Sequence, residues 1–467
     1  MRRSVKTRDP HFTYEIACDT ILDRANRIRI ALLTVVENYS AMGIESLPKF
    51  VDKDHEVALR ILKEKGTEIV ADVRIHDAQT MIAALPRIKS KDTDLIVINV
   101  IGWAGGEAAV ILARETKGIP MMVWTTPTIE MALCGFFEFT SDLRSMEIPF
   151  KSIIGKRGKN TREVESYLKA VKLRRRLRSM RFAQIGDVPP GFVDATGDKV
   201  NLERKLGIKV INVDVAEVFS EIKKTRLPEV ENVRTRLLSY RINQAVPEKA
   251  LFDSLRVSIA LGRVVGKHDL RGAGLRCLPE LQAHSFPCLG VSTLSEKGIA
   301  LACEGDLPAA ITSVILNELT GNIPAVFDYD SIDPSRNSLR LWHCGHLAKN
   351  LVSKNHKMRL ISPTYFDKVV GPGAVLSFSV KPGKVTLAKL DRKAQKMLVL
   401  SGETITPRNR PSSAYAEVRL ECDVSDAIRM IAMKGLEHHV CLVHGDATSE
   451  LSDFCDLLDI HQVRCEN

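Results

Sequence analysis

No apolar run in this 467-residue chain approaches the roughly 18–20 residues that a membrane-spanning helix needs. A bundle of membrane helices is therefore excluded. The opening stretch from Met1 to Ile30 is rich in charge and lacks the apolar core and small-residue cleavage site of a secretory signal, so a cytoplasmic protein is expected. There are ten cysteines but no C-x-x-C pair, which argues against a zinc ribbon and a thioredoxin-type redox site. In a chain of this size they read as reduced, mostly buried small hydrophobes. The G-x-G-x-x-G spacing of a dinucleotide fingerprint is missing too, and no short-period repeat stands out.

What is present is the composition of a folded globular protein, 45% hydrophobic and 27% charged. The length suits two or three domains rather than one core. The formal charge is +10, and much of the excess lies between Lys151 and Arg181, where Glu163 and Glu165 are the only acids. Helical spacing there puts Val164, Tyr167, Leu168, Val171 and Leu177 on one face and the basic residues on the other. A solvated or subunit-contacting face is the simplest reading. A nucleic-acid partner is not expected, because aromatics for base stacking are scarce in this stretch. Attraction of a phosphorylated or acidic sugar is a third option.

From about Arg27 the chain alternates strand-like and helix-like segments. Ile28–Val36, Ile69–Ile75, Leu95–Ile101 and Pro120–Thr125 read as strands. His55–Lys65, Ala78–Ile88 and Glu107–Thr116 read as helices between them. This rhythm predicts an open parallel sheet. Trp103-Ala104-Gly105-Gly106 follows one strand and opens the next helix, where such sheets bind ligands, although paired glycines also serve plain turns. A second α/β region follows, with strand-like Phe182–Ile185, Ile208–Val213 and Ala325–Phe327 and helical Pro247–Leu261 and Leu307–Leu319. Beyond Leu351 the texture turns to short β segments punctuated by Gly371-Pro372-Gly373 and Lys381-Pro382-Gly383, then to helices at Val424–Met433 and Ser449–Leu458 around a strand at His439–Val443. The expected architecture is α/β: two successive open parallel-sheet domains, 1–155 and 156–350, then a smaller β-rich, barrel-like domain, 351–467.

Three clusters carry candidate chemistry. Cys303-Glu304-Gly305-Asp306 lies where an apolar strand ends and a helix begins. Asp306 is most simply that helix's N-cap, whereas Glu304, closing a buried run, needs a partner or a metal. Phe327-Asp328-Tyr329-Asp330 again closes an apolar strand, and Trp342-His343-Cys344-Gly345-His346 follows it. Glu437-His438-His439 opens the strand running to His444. Each histidine alone reads as a satisfied structural residue. Together with two strand-end carboxylates they make a mixed O/N site suited to Mn²⁺, Co²⁺ or Mg²⁺. Aldose–ketose isomerisation fits such a site: a cation chelates the two oxygens of an enediolate while carboxylates move the proton. Metal-assisted hydrolysis fits it as well.

The runs Cys277-Leu278-Pro279-Glu280-Leu281-Gln282, Pro287-Cys288, Leu294-Ser295-Glu296-Lys297-Gly298-Ile299 and Ala302-Cys303-Glu304-Gly305-Asp306 resemble the central block of L-fucose isomerase-like proteins. The spacing from Glu304 to Asp328 is that of the family's two metal-binding, proton-transferring acids. His343-Cys344-Gly345, and His438-His439 with His444-Gly445-Asp446, also look like that family and its L-arabinose isomerase cousins. The resemblance runs from about Cys277 to His346 and from Gly435 to the C-terminus. In the first 180 residues only Trp103 and the alternation agree. It implies Glu304 and Asp328 as ligands and acid/base pair, His439 as a ligand, His343 as a further ligand of the arabinose type, and His438 as a contact to substrate or to a ligand. It also implies Mn²⁺, a monosaccharide substrate, and a homotrimer or homohexamer in which a neighbour's first domain closes the site and Trp103 reaches the sugar. The expected activity is a metal-dependent aldose–ketose isomerase working through a cis-enediolate. The alternatives are a metal-dependent sugar epimerase, or a non-catalytic sugar-binding or regulatory relative.

Overall fold

The computed structural model describes residues 27–37, 49–89, 92–103, 106–129, 131–155, 161–238, 242–346, 348–352, 358–365, 368–408 and 413–465. The charged opening segment up to Asn26, the Ala104-Gly105 pair and part of the basic stretch, 156–160, lie outside the described residues. The chain divides into two compact units, Met1–Leu168 and Lys169–Asn467. Among the described residues no helix is long and apolar enough to cross a membrane.

The first unit holds a parallel sheet of β1 (Arg29–Val35), β2 (Glu68–Ile75), β3 (Leu95–Val100), β4 (Met121–Thr125) and β5 (Phe150–Ile154), in the order β2-β1-β3-β4-β5. Every residue of β3 and β4 is buried, the pattern of strands covered on both faces. Helices Lys49–Glu64, Ala78–Lys89, Glu107–Glu115 and Ala132–Ser145 connect them. The sequence alternation anticipated the first four strands; the fifth, of which only Ile153 is buried, carries too little apolar signal.

The helix Thr161–Leu177 buries Val164, Tyr167, Leu168, Val171 and Leu177 as the spacing predicts. Its basic residues differ from the expectation of an open, hydrated face. Lys172, Arg174, Arg175 and Arg176 are half-buried, Arg176 pairs with Glu318 at 2.8 Å and Lys169 with Glu450 at 3.2 Å. Part of the positive charge is thus spent inside the second unit.

That unit combines a second parallel sheet with a barrel. The sheet consists of β6 (Arg181–Ile185), β7 (Lys209–Val213), β8 (Gly272–Leu275) and β9 (Ala300–Ala302), ordered β9-β8-β6-β7. The barrel is formed by β10 (Ala325–Asp333), β11 (Ser338–His343), β12 (Gly383–Leu390), β13 (Lys396–Ile405), β14 (Ala414–Leu420) and β15 (His439–His444). All neighbours are antiparallel in the cycle β12-β15-β10-β11-β14-β13, and β13 pairs with β12 to close it. Closure leaves these strands no free edge.

Ala325–Phe327, which the alternation reads as one more α/β strand, is instead a barrel strand. Only the short connection Pro334–Asn337 separates β10 from β11. A parallel crossover needs a dozen residues or more, so so short a connection imposes an antiparallel hairpin. The helix Leu307–Thr320 lies between the two layers. It packs Leu307, Ile311, Val314 and Ile315 with Phe182 and Ala302 of the sheet and with Val326, Leu390, Cys441 and Val443 of the barrel. Each such buried aliphatic side chain contributes about 1.5–3 kcal/mol. This helix fixes the end of β9 against β10 and β15, and that junction is where the candidate residues meet.

Candidate active site

Strand register sets the first half of the site. Along β10 and β15, Val326 pairs with Cys441 and Asp328 with His439. Alternate residues of a strand share a face. Ala325 and Phe327 enter the barrel core, whereas Val326 and Cys441 pack in the cluster of the helix Leu307–Thr320. Asp328 and His439 stand one repeat further along that second face, so they emerge beside the start of the helix. Asp306 caps it, accepting a hydrogen bond from the Ala309 N–H at 2.8 Å.

The sheet supplies the second half. β9 ends at Ala302, and Cys303–Gly305 form a single 3-10 turn in which Glu304 adopts φ 58°, ψ 21°. This left-handed backbone costs an L-residue roughly 1–2 kcal/mol. The Glu304 N–H donates to Cys277 Sγ at 3.3 Å. The turn carries the Glu304 carboxylate to the histidine pair: Oε2 lies 2.9 Å from His438 Nε2 and 3.4 Å from His439 Nε2. His439 Nε2 also lies 3.3 Å from Asp328 Oδ1.

The two histidines are held differently. His439 is wholly buried, and its Nδ1 is 2.8 Å from Asp306 Oδ2. Half-buried His438 is gripped by Asp194, from the turn Val193–Ala195, with Nδ1 and Oδ2 2.5 Å apart. The ring of Phe192 lies 5.9 Å from that of His438. Asp306 is bound a third time, by the buried Lys389 ammonium at 2.7 and 2.6 Å. Burial by itself would raise the Asp306 carboxyl; the Lys389 charge and the His439 bond overcome it and hold it well below the usual range. Asp328 behaves alike: burial raises it, the surrounding histidines more than offset this, and its pKa is lowered. Burial lowers His439, but Asp306 and Asp328 outweigh it and push the imidazole up to about 10.

Among the described residues, Glu304, Asp328, His438 and His439 offer ligand atoms within 4.8 Å of one another. Donors at roughly 2.0–2.2 Å from a single cation lie about 3–4 Å apart, which the 2.9, 3.4 and 3.3 Å approaches among these groups match. His439 Nε2 is buried, has no hydrogen-bond partner and points between the two carboxylates. Such a nitrogen is satisfied by a proton or by a cation, and hard oxygens with imidazole form a donor set that fits a divalent ion.

His343 stands apart from this quartet. Its ring stacks on His439 at 5.9 Å, its Nδ1 accepts the Cys344 N–H at 2.8 Å, and its Nε2 is buried without a partner. Accepting at Nδ1 leaves the proton of the neutral ring on Nε2, and burial lowers the pKa of this ring. Trp103 belongs to the first unit, in the turn after β3, where it is 48% exposed and bonded to Glu138. Sequence reasoning missed Asp194, which sits in no motif, and Lys389. A lysine inside the otherwise apolar end of β12 was the available signal, since an unpaired buried ammonium is untenable.

No family model matches the chain. It is similar to sulfoquinovose isomerase of Priestia aryabhattai, 25% identical over 415 residues, covering 85% of this chain and 91% of that protein. It is 26% identical over 400 residues to sulfoquinovose isomerase of Alkalicoccus urumqiensis, covering 81% and 87%. L-arabinose isomerase of Shouchella clausii is 22% identical over 308 residues, covering 64% of this chain and 63% of the relative. These names support the sugar-isomerase class at low identity. They do not single out the L-fucose type.

Proposed function

We propose that the protein is a divalent-metal-dependent aldose–ketose isomerase acting on an open-chain sugar through a cis-enediolate. The observation that carries this reading is the convergence of Glu304, Asp328 and His439 Nε2 on one point, from the turn after β9, from within β10 and from the start of β15. A cation held by these three, Mn²⁺ with Co²⁺ or Mg²⁺ as substitutes, would supply Lewis-acid stabilisation of charge developing on adjacent sugar oxygens. Asp328, whose Oδ1 lies 3.3 Å from His439 Nε2, takes the proton from carbon 2 of the aldose and returns it to carbon 1. Glu304 serves the hydroxyl side: His438 bridges it to Asp194, so a hydroxyl proton can be held along Glu304–His438–Asp194. The Phe192 ring beside His438 helps exclude water.

The sulfoquinovose isomerase likeness makes a sulfonated hexose the first sugar to try, and the +10 charge suits an anionic substrate. A cytoplasmic homotrimer or homohexamer, with Trp103 reaching a neighbour's sugar, completes the proposal. The test is incubation of metal-stripped protein with Mn²⁺ in deuterated water, with sulfoquinovose, L-arabinose and L-fucose. Metal-dependent interconversion with deuterium at carbon 2 of the aldose or carbon 1 of the ketose is expected. Conversion at an equal rate in metal-free protein would overturn the mechanism.

A further inference from the structure

Asp306 does more than a helix cap requires. One carboxylate oxygen, Oδ1, satisfies the Ala309 N–H and the Lys389 ammonium. The other, Oδ2, meets Lys389 at 2.6 Å and His439 Nδ1 at 2.8 Å. Cap, cation and imidazole therefore use both oxygens, in a place where neither Asp306 nor Lys389 touches water. A buried ion pair is weak evidence for stability, because removing two charges from solvent costs about as much as their attraction returns. Its retention calls for another reason, and the third partner supplies one. An imidazole can give a lone pair to a cation from Nε2 only when its remaining proton sits on Nδ1. A carboxylate at Nδ1 enforces that tautomer and also fixes the plane of the ring.

We propose that Asp306, held stationary by Lys389, is a positioning residue that locks His439 with a proton on Nδ1 and its Nε2 presented to Glu304 and Asp328. The inference rests on the metal-dependent reading above, and it specifies how this chain prepares the ligand. It also predicts an unusual effect of a near-isosteric change. In Asp306→Asn the amide oxygen is retained by the Ala309 N–H and Lys389 at the Oδ1 position. The amide NH₂ then falls at the Oδ2 position, where it forfeits the Oδ2 contact to Lys389 and donates to His439 Nδ1. The ring then loses its proton on Nδ1 and keeps one on Nε2, where it blocks the lone pair. Asparagine caps helices as well as aspartate does, so the helix itself is spared.

The test compares the full-length protein with Asp306→Asn and with Asp306→Asn/Lys389→Met, the second removing both charges together so that no buried ammonium is stranded. Mn²⁺ affinity is read by electron paramagnetic resonance. The His439 Nδ1 proton is read in the metal-free protein as a downfield, exchange-protected imidazole resonance. Both variants are expected to lose that resonance and to bind Mn²⁺ about 10- to 100-fold more weakly, with turnover partly recovered in excess Mn²⁺. Wild-type affinity and an intact resonance in either variant would overturn the proposal and leave Asp306 a helix cap. If the wild-type protein shows the resonance, the variants lose it, and none binds Mn²⁺, the lock stands and the metal-dependent reading fails.

Discussion

The two units bury different kinds of residue. Among the described residues of Met1–Leu168, the buried polar side chains are Thr34, Thr67, Asn99, Thr116, Thr125, Thr126, Thr140 and Ser166, with no carboxylate, lysine or histidine. Lys169–Asn467 buries Asp306, His343, His346, Lys389, Asp391, Glu417, Glu437, His439 and Asp453. Hydroxyls and amides bury cheaply when they bond to nearby backbone, as Thr116 does to the Leu112 carbonyl and Thr125 to that of Val100. Ionisable groups do not, and each demands a partner. A core that holds them has traded packing simplicity for chemistry. The contrast places the buried ionisable groups of the described residues in the second unit without reference to any motif.

The sharpest way to break this contrast is to neutralise the carboxylates one at a time. Glu304→Gln and Asp328→Asn are expected to lower turnover by at least about 100-fold each, the usual worth of a positioned acid or base, while circular dichroism stays native. A non-catalytic sugar-binding protein would instead keep its sugar affinity and show no activity to lose; near-normal turnover in both variants would remove them from the chemistry.

Proton linkage provides a second, smaller test. Because His439 is raised to about 10 in the metal-free site, the folded protein binds more protons than the unfolded chain between roughly pH 6.5 and 10. Its stabilising contribution is complete below about 6.5 and is lost as pH rises through the folded pKa. Chelated protein should therefore melt at progressively lower temperature across this interval, and His439→Gln should flatten the slope. An unchanged slope in that variant would show that the linkage resides elsewhere.

The smallest effect is expected at the basic helix. Arg174→Ala and Arg175→Ala should leave turnover of neutral sugars within about twofold, since half-buried positive charge on this helix has no charge on a neutral sugar to attract. A large loss confined to sulfonated or phosphorylated sugars, measured as kcat/KM, would convert that helix from scaffold into a substrate anchor.

Much of the α/β half was legible because β1, β3 and β4 are apolar runs framed by amphipathic helices. Glu304 and Asp328 stood out as charges closing apolar strands, and the histidine pair as a cluster at a strand start. β5 and β14 were not read: β5 alternates weakly, and the Ala414–Leu420 run, although buried at Glu417, carries two charges. His343 has the right neighbours in sequence, yet only the folded structure shows its Nδ1 turned to the backbone N–H of Cys344. Asp194 and Lys389 lie 244 residues from His438 and 83 from Asp306, and no local pattern records a pairing made across such distances.

The order of residues alone thus determined the parallel-sheet class, the face that the helix Thr161–Leu177 buries and the residue types available for chemistry, because periodicity and strand-end charge act over a few neighbours. Tertiary structure decided that β10 joins a closed barrel rather than a sheet, that register sets Asp328 opposite His439, and which carboxylate holds which imidazole. Those choices depend on strand pairing and on the mutual satisfaction of buried charges, which bring together atoms that the chain keeps far apart.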